Sequence, residues 1–121
     1  MKHKLNQIIL ADCMDIMRDI PDKYFELAIV DPPYGIGADT GTGTSNKTAV
    51  SVYSKIRDKD IPDKKYFDEL FRISKNQIIW GVNYYNTYDL SGGRIVWDKD
   101  NTGNFSDCEL AFCSFGIGIK K

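Results

Sequence analysis

Apolar and polar positions follow two different periods along this chain, and the places where the period changes divide it into elements. Gln7 to Ala11 is a short apolar run that predicts a buried strand, with Asp12 at its end placed to cap a helix. Met14, Ile16, Met17 and Ile20 then recur at helical spacing as far as Pro21, which cannot continue a helix. Glu26 to Val30 predicts the next strand. A strand, a helix and a second strand within about thirty residues make a βαβ unit, hence a parallel sheet. From Gly35 to about residue 61 neither period holds, and the Gly/Thr/Ser-rich stretch Gly35 to Val52 predicts a mobile loop. Asp63 to Ser74 predicts a helix with Phe67, Leu70, Phe71 and Ile73 as its apolar face, closed by Lys75 or Asn76. Gln77 to Val82 reads as another buried strand, ending in Asn83-Tyr84-Tyr85. Arg94 to Trp97 and Cys108 to Phe115, separated by a turn at Asn101 to Asn104, predict an antiparallel pair at the end of the sheet. Trp80, Trp97, Phe112 and Phe115 read as core. With no repeat and no internal linker, residues 1–121 form one structural unit.

Composition narrows the class. At 42% hydrophobic, 121 residues suffice for one modest core. No apolar stretch approaches the ~20 residues needed to span a bilayer. Met1-Lys2-His3-Lys4 is followed by only a short apolar run, so no signal peptide is expected. Three cysteines, an odd number, without an export signal point to a reducing, cytoplasmic setting. A zinc site built from Cys13, Cys108, Cys113 and His3 is not expected. Cys108 and Cys113 lie five apart in a predicted strand and so face opposite sides. Sixteen basic against 17 acidic residues give a net charge of −1, so bulk electrostatics offer no reason for tight, unaided DNA binding. The best basic cluster (Lys55, Arg57, Lys59, Lys64 and Lys65) is interleaved with Asp58, Asp60 and Asp63 and reads as a solvated surface.

The candidate chemistry lies at Asp31-Pro32-Pro33-Tyr34, directly after the apolar run Leu27 to Val30. Proline fixes its own φ, carries no N–H and forces the preceding residue into an extended conformation. Two in succession make a short rigid arm whose carbonyls are expected to point outward with no local donor. Such an arm suits a planar group with N–H donors on its edge and a π-face above, as an amino-bearing nucleobase has. The plainer reading is a strand end with a Pro-Pro turn, a capping Asp and a core Tyr. Gly35-Ile36-Gly37 is no dinucleotide fingerprint, because the third glycine is missing.

With its flanking blocks, the arm resembles the exocyclic-amino DNA methyltransferases, which modify adenine or cytosine amino nitrogens. The likeness runs through Ile8 to Cys13, the helix after it, Asp22 to Gly35, Ile78 to Tyr85, Arg94 to Lys99 and Asp107 to Ala111. It implies a three-layer α/β, Rossmann-like fold with a mainly parallel sheet and an antiparallel strand pair at one edge. It also implies S-adenosylmethionine (SAM) as methyl donor and double-stranded DNA with a flipped base as partner. In the roles it implies, Asp31 and the Pro32 carbonyl accept the amine hydrogens, Pro33 stiffens the arm and Tyr34 stacks on the base. Asp12 would accept from the cofactor's adenine amine, unless it is a plain helix cap, with Cys13 and Asp31 beside the cofactor. Asn83, Tyr84 and Lys99, at other strand ends, are candidate substrate contacts. Asp as the first motif residue favours adenine over cytosine, in a phage or prokaryotic modification system.

The likeness covers only the first part of such an enzyme. A target-recognition segment and a Phe-x-Gly-x-Gly-like cofactor turn are absent, so a partial domain, inactive as an isolated chain, is expected. In the family's sheet the missing strands lie between those carrying Asp12 and Asp31. The fragment is therefore expected to close up, self-associate or pair with a complementing polypeptide. A non-catalytic module, and methylation of RNA or a protein amide, are the alternatives.

Overall fold

The computed structural model describes residues 5–35, 60–101, 103–104, 106–116 and 118–120. The loop predicted over about 35–61 lies almost wholly outside the described residues.

Helix α1 spans Cys13–Arg18, with the Asp12 carboxylate accepting from the Met14 N–H at 2.8 Å. That bond satisfies one of the donors a helix start leaves unpaired. Strand β1 is Phe25–Val30. Helix α2, Lys64–Ile73, begins in the same way, with Asp63 accepting from the Tyr66 N–H at 3.1 Å. Its buried face is Phe67, Leu70 and Ile73, spaced by three as an amphipathic helix requires. The helix runs straight into β2, Ser74–Trp80, three residues earlier than the apolar pattern predicts. Polar Ser74 and Gln77 are fully or nearly fully buried at that junction. Each is satisfied: the Ser74 hydroxyl donates to Leu70 O at 2.5 Å and the Gln77 amide donates to Ser74 O at 3.1 Å.

Gly81, at φ +80°, ends β2 and opens a 3-10 turn over Val82–Tyr84. Strands β3 (Gly93–Asp98), β4 (Cys108–Cys113) and the short β5 (Ile119–Lys120) complete a five-stranded sheet of order β1-β2-β4-β3-β5. β1 and β2 are parallel, with Ala28 opposite Gln77 and Val30 opposite Ile79. β4 lies antiparallel to both β2 and β3, and β5 runs parallel to β3. The sheet is therefore mixed rather than mainly parallel. The predicted antiparallel pair forms, but β4 is interior and β5 takes the edge.

The core gathers Phe67 and Leu70 of α2 against Ile79, Val82, Tyr85, Leu90 and Phe112. A second cluster of Met17, Ile20 and Ile73 packs α1 beside α2. Arg72 ties the two helices together. It donates to Met17 O (2.8 Å) and Ile20 O (2.7 Å) while pairing with Glu69 and Asp22.

Three expectations change here. Residues 7–11 form no strand and pair with no neighbour in the sheet, so the βαβ unit that would start there does not close. Ile8 and Leu10 stand 102% and 92% exposed, which is what an apolar run looks like when no strand lies next to it. Second, α1 and α2 lie side by side while Leu27 and Ile29, the residues alternating with Ala28 and Val30, are exposed. Among the described residues this makes two layers, not three. Third, Trp97 and Phe115 are about half exposed rather than core, whereas Phe112 is buried as predicted. Among the described residues no helix is long and apolar enough to cross a membrane.

Candidate active site at the end of β1

Parallel β1 and β2 end at the same level, and the segments that leave them meet over the next turn. Asp31 is exposed, Pro32 buried, and Pro33 and Tyr34 half-buried. The Tyr34 ring stacks on Tyr84, with centroids 4.8 Å apart and planes 14° from parallel, and meets the Tyr85 ring at 6.4 Å and 61°. Beneath it lies Gly81. A Cβ there would stand 2.3 Å from Tyr34 Cε1, so only glycine leaves room for the ring. The positive φ also favours glycine at this position.

The arm is less bare than the sequence suggests. The Tyr85 hydroxyl lies 2.9 Å from the Pro32 carbonyl and 2.9 Å from the Trp80 carbonyl, so Pro32 O has a local donor after all. The Tyr34 hydroxyl donates to Asp31 Oδ1 at 2.5 Å. Burial, reinforced by this bond to Asp31, pushes the Tyr34 phenol well above its ordinary value. Its hydroxyl is thus a donor across the working pH range.

Two concavities flank the arm. The larger, of about 510 Å³, has Asp31, Pro32 and Pro33 on one wall, Cys13 and Met14 on a second, and Asp63 and Tyr66 on a third. The smaller, of about 230 Å³, is bounded by Tyr34, Gly81, Asn83, Tyr84, Cys108 and Glu109. Asp31 belongs to the first, Tyr34 to the second. Consecutive residues of the arm thus contribute to both.

The chain is similar to a type II methyltransferase. Over 87 residues it is 24% identical to the type II methyltransferase M.BamHI of Bacillus amyloliquefaciens. The aligned part is 69% of this chain and 19% of that protein, so the chain spans about a fifth of its curated relative's length. No protein-family model matches. No solved structure matches either.

Of the residues singled out from the sequence, Asp31, Pro32, Pro33, Tyr34, Cys13, Asn83 and Tyr84 come together around the two concavities. Asp12 stands just outside, its carboxylate engaged as the cap of α1. Lys99 lines neither concavity. Its ammonium pairs with Glu109 at 2.5 Å and lies 5.5 Å from the centre of the Trp97 ring, so it reaches the smaller concavity only through Glu109. Among the described residues no three His, Cys, Asp or Glu side chains converge as a metal site would require.

Gly81, Tyr85, Glu109, Asp63 and Tyr66 were not singled out as site residues by the sequence. Only Gly81 carried a local signal, as a lone glycine inside a strand-like run, which marks a bend or a close approach. The other four reach the site through strand pairing or helix packing between segments distant in sequence.

Proposed function

We propose that this chain carries the reacting arm of a DNA methyltransferase, which moves a methyl group from SAM to an exocyclic amino nitrogen, adenine N6 in preference to cytosine N4. The observation that carries the reading is that consecutive residues of one arm line two spaces, Asp31 to Pro33 the larger and Tyr34 the smaller. Methyl transfer between two bulky molecules needs two binding spaces that meet at one point. The similarity to a type II methyltransferase supports the same reading.

The larger concavity is of the size small-molecule sites usually have. Its acidic walls, Asp31, Asp60 and Asp63, suit a ligand with positive charge and would repel phosphate, while Met14, Val30, Pro32 and Tyr66 suit its apolar parts. SAM, a sulfonium that also carries an ammonium group, fits that combination and supplies an electrophilic methyl group when bound. Cys13 and Asp31 would lie beside it. Asp12 would act mainly by fixing the start of α1, next to Cys13 and Met14.

In the smaller concavity a flipped base would lie against Tyr34 and Tyr84, with Asn83 on the wall. Stacking on a ring offsets part of the cost of extruding the base, which is a few kcal/mol. Asp31 and Pro32 O would accept the two amine hydrogens, turning the nitrogen's lone pair towards the methyl group. The amine is a weak nucleophile because its lone pair is delocalised into the ring, so positioning supplies most of the rate. Positive charge would develop on the nitrogen as the N–C bond forms and the sulfonium S–CH3 bond breaks, leaving a neutral thioether; the Asp31 carboxylate would stabilise that charge until the extra proton leaves to solvent. To take the amine, Asp31 must share or release the Tyr34 hydroxyl that now donates to it.

A second reading is favoured by the exposed apolar residues Leu27 and Ile29 of β1 and Ile8 and Leu10 before α1. It is a unit that works only when completed by further polypeptide.

The experiment is titration of SAM into the purified chain, followed by transfer of labelled methyl to bacterial DNA. SAM binding is the expected result, and in an enzyme completed by further polypeptide Asp31→Ala should abolish transfer while keeping SAM affinity within a few-fold. Loss of transfer should correspond to at least ~2.7 kcal/mol, by analogy with removal of one oxyanion-hole donor. Asp31→Ala activity within tenfold of the parent would sink the assignment. Tight, stoichiometric SAM binding would favour the enzyme reading, and no binding would favour the second.

A further inference from the structure

We propose that Tyr85 is a positioning residue for this site: its hydroxyl shares one hydrogen between the Pro32 and Trp80 carbonyls and so holds Pro32 O where an incoming amine can donate to it. The inference rests on the amine-methylation reading above.

The two carbonyls belong to the ends of neighbouring parallel strands, and the hydroxyl lies 2.9 Å from each. A tyrosine hydroxyl carries a single hydrogen, whereas each carbonyl oxygen has two acceptor positions. Tyr85 therefore donates to one carbonyl at a time and can exchange them by rotating its O–H, with no movement of the ring. When an amine donates to Pro32 O, the hydrogen can turn to Trp80 O, so no strong donor is stranded in a buried place. An orphaned buried polar group would carry a desolvation cost, and this arrangement avoids it.

The ring itself is held firmly. Tyr85 is 8% exposed and packs against Phe67 with centroids 5.5 Å apart. Tyr84, its neighbour in sequence, stacks on Tyr34. Adjacent residues of one short turn thus hold both ends of the arm, the carbonyl at Pro32 and the ring at Tyr34. Pro32 and Pro33 lack N–H groups, so backbone donors of their own cannot anchor the arm there. The side-chain hydroxyl does that work from across the sheet.

Tyr85→Phe keeps the ring and removes the hydroxyl, so the variant should fold. In chain labelled with carbonyl-¹³C proline, the Pro32 carbonyl resonance should move in the variant while those of Pro21 and Pro62 stay. In labelled-methyl transfer to DNA, kcat should fall about 3- to 10-fold, the worth of one hydrogen bond, with KM for DNA and SAM affinity nearly unchanged. A purely structural role would lower thermal stability and active fraction while leaving kcat per folded molecule and the Pro32 resonance unchanged. The proposal is overturned if the Pro32 resonance does not move, or if kcat per folded molecule matches the parent. A parent chain that transfers methyl alongside an unaffected Tyr85→Phe variant removes this inference and leaves the function standing. A parent chain that neither binds SAM nor transfers methyl removes both.

Discussion

Gly81→Ala tests the packing of the site without requiring any activity. The new Cβ would stand 2.3, 2.6 and 3.0 Å from Cε1, Cδ1 and Cζ of Tyr34, all inside contact distance. Two costs combine. Placing an L-residue at φ +80° costs about 1–2 kcal/mol, because the Cβ crowds the following carbonyl. Forcing a methyl group into a filled space costs about 1–3 kcal/mol more. The Gly81 N–H donates to Leu110 O at 2.9 Å, so the backbone is tied to β4 and cannot easily back away. The loss should therefore be roughly 2–5 kcal/mol, a large part of the ~5–15 kcal/mol of a typical domain.

Urea unfolding followed by tryptophan fluorescence would measure it, in the parent and in a Tyr34→Ala background. Removing the ring removes the clash and leaves the backbone cost, so Gly81→Ala should then lose only about 1–2 kcal/mol. The difference between the two backgrounds, about 1–3 kcal/mol, is the coupling between the two positions. Equal losses in both backgrounds would refute the argument that Gly81 is required by Tyr34.

Asp12→Ala should lower stability by about 1 kcal/mol through loss of the cap on α1. An unchanged urea midpoint would show that the cap contributes nothing. Arg72→Lys should cost roughly 1.5–3 kcal/mol, since an ammonium cannot reproduce the fork that reaches Glu69, Asp22 and two backbone carbonyls at once. A loss below ~0.5 kcal/mol, the scale of ordinary surface changes, would contradict the role given to that fork. Burial raises the phenols of Tyr34 and Tyr66 above the ordinary value of 10.0, so the folded chain holds those protons more tightly than the unfolded one. Their contribution to stability is complete below pH 10 and is lost as pH rises above it; a urea midpoint constant between about pH 9 and 11.5 would contradict this.

Much of the local structure was legible in the sequence because it is decided by near neighbours. Asp12 and Asp63 mark helix starts through bonds to N–H groups two and three residues on. Phe67, Leu70 and Ile73 mark the buried side of α2 by spacing alone. The stiffness of Asp31-Pro32-Pro33-Tyr34 follows from proline's covalent ring, and its place at a strand end from the apolar run before it.

Tertiary structure decided the rest. Gln7 to Ala11 has the composition of a strand, yet a strand exists only where another backbone accepts its hydrogen bonds, and among the described residues none does. Ser74 to Asn76 read as a helix end, yet they are strand because β1 pairs with them. Trp97 and Phe115 are apolar enough for a core, but burial also requires a covering layer, which no residue's own chemistry can announce. The site shows the same division. Asp31 to Tyr34 could be picked out one residue after another. The hydroxyl of Tyr85 on Pro32 O, and the glycine under Tyr34, came into view only once β1 lay beside β2 and brought residues some fifty positions apart within hydrogen-bond reach.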